Sequence, residues 1–225
     1  MLLAIDTSSK ACSCALFEGE RLIAENYLET GLTHSKTLLP LIENMLNAAG
    51  KTTCDIDEIA VSEGPGSYTG LRIGMATAKG LAFPKDLDCT SVSTLLALAY
   101  NMIDTDGYVC SVLDARVGQI FAAVFMIRDG IVTRLCPDTA ESIDEFKDKI
   151  PKGAYFVGDG ARMLKDKLPE KEARLPSPCH LFQRASSVGM ASIRGEGKKC
   201  KGGDLVPNYL RLSQAEREKL KKEGK

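Results

Sequence analysis

Asp6 is the residue best placed for chemistry. It ends the apolar run Leu2 to Ile5 and opens the turn Asp6-Thr7-Ser8-Ser9. A carboxylate therefore stands where a buried strand releases the chain into polar turn residues. Such a carboxylate serves a nucleotide phosphate when the next backbone atoms can approach it, which calls for glycine. Ser8 occupies that place here. A second candidate is Gly64-Pro65-Gly66-Ser67-Tyr68-Thr69-Gly70, between an apolar strand and a helix. Free amides at a helix start favour anions. Pro65 removes one of those donors, and the block fits neither the G-x-G-x-x-G spacing nor a phosphate loop ending in Lys-Ser/Thr. A third candidate, Gly158-Asp159-Gly160, sets a negative charge where an anion would rest. Asp6, Ser8, Gly64, Gly66, Gly158 and Gly160 thus outline a vestigial nucleotide site with weak nucleotide binding and no other cofactor. Read alone, Asp6 is a structural turn residue first and a phosphate ligand second.

Metal chemistry finds little support. His34 and His180 are the only histidines, and no His-x-x-x-His or Glu-x-x-His spacing is present, whereas a metal needs clustered ligands. No metal residue is assigned. The eight cysteines include no Cys-x-x-Cys pair and read as reduced thiols, mostly in the core.

Two helices follow from periodicity. His34 to Ala49 carries Leu38, Leu39, Ile42, Met45 and Leu46 at helical spacing, and Gly50 suits its stop. Leu41 widens its apolar surface beyond one core face. The helix from about Gly70 to Phe83 repeats Gly70, Gly74 and Ala78 every four residues. Glycine in a helix costs about 1 kcal/mol against alanine, and this spacing lets another backbone come close. A neighbouring core helix and a second subunit are both open as the partner.

The elements that hold these residues read as an α/β chain. Leu2 to Asp6, Ala11 to Phe17 and Leu22 to Leu28 form a meander. A helix, the strand Ile56 to Ser62, the Gly70–Phe83 helix and a helix from Ser93 to Met102 follow. Tyr108 to Leu113 is again a strand running into an aspartate, Asp114. Gly118 to Ile127 and Ile131 to Leu135 form a hairpin around Asp129-Gly130. Ser142 to Lys149 is a short helix, Tyr155 to Val157 a strand, and Leu181 to Ile193 a helix. Residues 195–203 read as a basic, glycine-rich loop. Ser213 and Glu216 have capping-box spacing ahead of a charged tail. The two halves share a weak duplication, which implies two similar α/β subdomains: 1–104 and 105–212, followed by the tail 213–225.

The 225 residues are 44% hydrophobic and 26% charged with a net charge of -1. That balance excludes a nucleic-acid coat and leaves RNA contact to a local patch or a partner. The opening apolar run is too short for a signal peptide, and no stretch reaches the ~20 residues of a membrane span. A cytoplasmic protein with no membrane contact is expected.

Gly64-Pro65-Gly66-Ser67-Tyr68-Thr69-Gly70-Leu71-Arg72-Ile73-Gly74 resembles the signature of the TsaB (YeaZ) family. Leu3 to Ser8, Thr33-His34-Ser35 with Leu38-Leu39-Pro40, Asp114-Ala115-Arg116 with Gly118, and Pro207 with Tyr209-Leu210-Arg211 and Ala215-Glu216 agree with it. The resemblance implies the ASKHA (actin/hexokinase/Hsp70-like) fold and a non-catalytic scaffold or activator of TsaD. That complex modifies adenosine 37 of tRNAs reading ANN codons. It also implies TsaD and TsaE as partners, a homodimer in isolation, and tRNA met only through the complex. The first two helices supply the interface in such proteins, which assigns Leu38, Leu41, Ile42, Met45, Gly70, Gly74, Met75 and Ala78 to a dimer or TsaD surface. The competing class is an enzyme in its own right, an ASKHA-type kinase or a glycoprotease. Ser8 argues against the kinase, and the missing histidine pair argues against the metalloprotease.

Overall fold

Strand β1 (Leu2–Asp6) is buried at every position, as a central strand covered on both faces must be. The computed structural model describes residues 1–211; the Ser213/Glu216 capping box and the tail 213–225 lie outside the described residues. β1 pairs antiparallel with β2 (Cys12–Glu18), which pairs antiparallel with β3 (Arg21–Leu28). Helix α1 (His34–Ala48) leads to β4 (Glu58–Gly64), parallel to β1. Helix α2 (Tyr68–Ala82) leads to β5 (Asp88–Ser93), parallel to β4. Helix α3 (Thr94–Tyr100) ends the first half.

The second sheet is built on β6 (Gly107–Asp114) and β7 (Gln119–Arg128), an antiparallel pair, with β8 (Ile131–Arg134) on β7. Asp129 and Gly130 turn that hairpin with φ of 52° and 71°, the left-handed pair that a two-residue turn requires. β9 (Thr139–Ser142) pairs with β7, α4 (Ile143–Phe146) follows, and β10 (Tyr155–Val157) lies parallel to β6. Helices α5 (Ala161–Lys167), α6 (Pro178–Leu181) and α7 (Ala185–Ile193) and strand β11 (Lys198–Lys201) complete the chain. The sheet orders are β11-β5-β4-β1-β2-β3 and β10-β6-β7-β8. No helix among the described residues is long and apolar enough to cross a membrane.

Expectations change here for the domain boundary with its local elements and for the interface residues. The second subdomain does not run on to 212. Helix α7 lies across β1, β2 and β4, and β11 pairs antiparallel with β5, so residues 185–201 return to the first sheet. The supposed loop 195–203 contains that strand. Its lysines and flanking glycines gave no apolar alternation to read, and only the β5 ladder makes it a strand. The helix expected over 181–193 is likewise broken. Asn101 Nδ2 donates to the carbonyls of His180 and Phe182 across the gap between α6 and α7.

The second change concerns the interface residues. Leu38, Ile42, Met45, Met75 and Ala78 are buried in one core cluster beneath the first sheet, with Leu3, Ile5, Ile59 and Val61. Gly70 and Gly74 are buried too. Of the eight residues assigned to a dimer or TsaD surface, only Leu41 is partly open to solvent. The reason is geometric. Spacing by three and four marks the face a helix buries, and both helices bury that face against their own sheet.

Alanine at Gly70 or Gly74 would gain about 1 kcal/mol of helix propensity. A Cβ on Gly70, however, would stand 2.0 Å from Thr7 O, and one on Gly74 2.3 Å from Thr7 Oγ1. We expect both substitutions to destabilise by about 1–3 kcal/mol, the usual cost of overpacking. Thr7→Ala should rescue Gly74→Ala, whose next contact is Thr7 Cβ at 3.6 Å, but not Gly70→Ala, which meets backbone. Thermal melts of the single and double variants check this; equal rescue of both would refute the contact.

Candidate functional site

The turn after β1 is the starting point. Asp6 is 1% exposed. Its Oδ1 accepts hydrogen bonds from Ser8 N at 2.9 Å and Ser8 Oγ at 2.8 Å, a turn closed by its own aspartate. Oδ2 is buried without a partner. Burial pushes the Asp6 carboxyl above its ordinary 3.8, and Ser8, Ser62 and the nearby His34 pull it back only in part. His34 Nε2 lies 2.8 Å from the Ser9 carbonyl, an imidazole holding the turn.

Thr7 and Ser8 press against the Gly64–Gly74 segment. Ser67 N donates to Ser8 O at 2.7 Å, and Thr7 Oγ1 donates to Gly70 O at 2.8 Å. A Cβ on Gly66 would lie 2.4 Å from Ser8 O. Ser67 caps α2 through Oγ, which accepts from Gly70 N. The glycines thus receive the chain's own β1 turn, the close backbone approach their spacing implied.

Gly158 and Gly160 form a matching arrangement on the second sheet. A Cβ on Gly158 would lie 2.1 Å from Val112 O. Gly158 N donates to Leu181 O and Gly160 N to Val112 O. Asp159 Oδ1 accepts from Asp114 N at 3.0 Å. Burial is the main cause that raises the Asp159 carboxyl, the Asp114 charge adds to it, and Lys10 opposes it. Lys10 belongs to the first turn, and its charge reaches Asp159 on the second. The six residues of the expected nucleotide site therefore lie on three segments: Asp6 and Ser8 on the β1–β2 turn, Gly64 and Gly66 at the β4–α2 junction, and Gly158 and Gly160 on the β10–α5 turn. Four amides that could cradle a phosphate, those of Ser8, Ser67, Gly158 and Gly160, already donate to protein oxygens.

A segment that the site reading left aside joins these parts. Leu205 is buried, and Asn208 N donates to Glu63 O at 2.7 Å. Tyr209 stacks on Tyr68 with ring centroids 4.7 Å apart, and Arg72 Nε donates to the Tyr209 hydroxyl at 2.9 Å. Arg211 Nη1 donates to Ala115 O at 2.6 Å. Residues 205–211 so run from the first sheet to the β6–β7 turn. Pro207 and Tyr209-Leu210-Arg211 stood out in the sequence only as a family match.

Apolar side chains remain uncovered near α1 and α2: Leu32 is 60% exposed, Leu39 55% and Phe83 87%. A groove of about 460 Å³ separates the starts of the two helices, lined by Lys10, Leu32, His34, Thr69 and Ile73 among others. Among the described residues, no group of three or more His, Cys, Asp or Glu could hold a metal ion.

The family model for TsaD, tRNA N6-adenosine threonylcarbamoyltransferase, matches residues 29–216. The chain is 32% identical to the tRNA threonylcarbamoyladenosine biosynthesis protein TsaB of Bacillus subtilis, over 96% of each chain. It is 36% identical to the Escherichia coli protein of that name, over 84% of this chain and 90% of the relative. A Pseudomonas aeruginosa structure described as similar to peptidase YEAZ superposes with a TM-score of 0.78 at 28% identity, covering 93% and 99% of the two chains. Component A of the (R)-2-hydroxyglutaryl-CoA dehydratase of Acidaminococcus fermentans, at 13% identity, covers 86% of this chain and 98% of its own with a TM-score of 0.53 and shares the fold alone. The fold is the expected ASKHA architecture.

An acid raised above its ordinary pKa holds its proton longer in the folded state. Its stability contribution is highest below 3.8 and falls as pH rises through the folded pKa. Asp6→Asn keeps an acceptor for Ser8 and removes that titration. We expect the stability difference between variant and wild type to shift toward the variant as pH rises from 4 upward. Urea unfolding at several pH values checks it; a pH-independent difference would sink the assignment.

Proposed function

The chain belongs to the TsaD-type domain family and, within it, to the TsaB proteins of tRNA threonylcarbamoyladenosine biosynthesis, and from that membership we propose that it is a non-catalytic scaffold or activator of TsaD. In this reading TsaD transfers the threonylcarbamoyl group to adenosine 37 of tRNAs reading ANN codons. TsaE joins the pair, tRNA is met through the complex, and the work is cytoplasmic. The observation that carries the reading is the closed turn pair. Ser8 N, Ser67 N, Gly158 N and Gly160 N donate within the chain, and the Asp159 carboxyl sits where an anion would rest. A kinase needs those amides free and that charge absent.

The partner surface in this reading is the outer side of α1 and α2, not the buried stripe. Leu39 and Phe83 stay in water in the isolated subunit, and in this reading they are the contact points a partner covers. A second copy covering it about a two-fold axis gives a homodimer, and TsaD competes for that face.

Three measurements test the proposal. Incubation with threonylcarbamoyl-AMP and tRNA should give modified adenosine only when TsaD is added; modification by this chain alone would overturn the non-catalytic reading. Calorimetry should find ATP affinity no tighter than about 1 mM, or roughly 4 kcal/mol, and micromolar binding would contradict the closed turns. Leu39→Arg and Phe83→Arg should keep the circular dichroism of the parent yet lose dimerisation and TsaD pull-down by at least tenfold. Each 1.4 kcal/mol is tenfold in affinity, and a desolvated unpaired charge costs more than that. Folded variants that still bind would place the interface elsewhere.

A further inference from the structure

Cys89 of β5 and Cys200 of β11 are direct partners in the antiparallel ladder. Directly opposed residues of such a pair project to the same face, and both cysteines pack on the core cluster beneath the first sheet. Opposed Cα atoms in an antiparallel pair lie about 4.5–5.5 Å apart, inside the roughly 4.4–6.8 Å window of a disulfide. Both thiols are free. Cys12 and Cys14 follow each other along one strand, and Cys136 lies outside any strand, so no other cysteines of the described residues are ladder partners. Cys89 is 1% exposed and Cys200 is half-buried, which makes Cys200 the thiol that a small oxidant meets first.

We propose that Cys89 and Cys200 are a modification site, a thiol pair that a peroxide converts to a cross-strand disulfide fastening the C-terminal segment to the first sheet. The Cys200 thiol gives up its proton, the thiolate takes one oxygen from hydrogen peroxide to give a sulfenic acid and hydroxide, and the released proton turns that hydroxide into one water. Cys89, losing its proton, attacks that sulfur and expels the hydroxyl as a second water. Two thiols and one peroxide become one disulfide and two waters. Burial raises both thiols, Cys89 to about 11, so the thiolate is scarce near neutral pH and the reaction is slow.

The consequence follows from what β11 leads into. Gly202 sits where a Cβ would lie 2.5 Å from Ala82 Cβ at the end of α2. Leu205, Asn208 and Tyr209 then hold the segment to β4 and α2, and Arg211 reaches Ala115. β11 is an edge strand of four residues, held in the reduced protein by one ladder. A covalent link there removes the fraying that would release residues 202–211.

The test uses the full chain. Hydrogen peroxide is added to reduced protein, remaining thiols are alkylated, and digestion with a protease that spares lysine is followed by mass spectrometry. A linked peptide containing Cys89 and Cys200, two hydrogens lighter than the sum, is expected in wild type and absent in Cys200→Ser. Amide exchange of residues 202–211 should slow at least tenfold on oxidation in wild type and stay unchanged in Cys200→Ser. Circular dichroism checks that the variant folds; Cys89→Thr is the second variant. Oxidation that leaves this pair alkylated, or that joins other cysteines instead, would overturn the proposal. So would a link that leaves exchange unaltered.

Discussion

Thr7 and Ser8 lie in backbone contact with the start of α2, and most of the first half is arranged around that contact. Ser67 N reaches Ser8 O, Thr7 Oγ1 reaches Gly70 O, and a side chain at Gly66 or Gly70 would overlap the turn. β1 is central and buried on both faces, so its end cannot move aside. α2 must come to it bare of side chains along one stripe. That stripe costs helix propensity and is compensated by the capping serine and by the core beneath Met75 and Ala78. Because α2 is fixed by β1, its opposite side, with Phe83 just beyond, is left facing water.

The same closeness shapes the chemistry. A phosphate site and a closed turn compete for the same amides, and here the protein's own oxygens hold them. Asp6 keeps one oxygen for Ser8 and one unpartnered; Asp159 holds the Asp114 amide. Arg211 on Ala115 ties the C-terminal segment of the first sheet to the second.

The return of the chain after residue 185 has its own physical cause. The first sheet would otherwise have one face uncovered. α7 covers it together with α3, seated through Ser13 Oγ accepting from Ala185 N and through the ion pair of Glu25 with Arg184. Gly189 allows the helix to approach Phe17 and Ala4. Once α7 is in place, β11 has only the β5 edge within reach, and the last residues are carried across both subdomains.

Several features were legible in the residues themselves. Apolar runs, helical spacing and turn residues place β1, β10, α1 and the hairpin at Asp129-Gly130 within a residue or two, because each has its own local signal. The glycine spacing in α2 announced a close backbone approach. Which backbone approaches is set by packing alone: Thr7, sixty residues earlier, is no nearer in sequence than any other candidate. For the same reason the stripe read as a subunit surface proved internal, and Leu38, Ile42 and Met45 with it. β5, β9 and β11 were missed because short polar strands acquire their identity from the ladder partner. β11 pairs with a strand over a hundred residues away, and that pairing, which also sets Cys200 opposite Cys89, is a product of tertiary structure, since no local propensity of Lys-Lys-Cys-Lys encodes its neighbour.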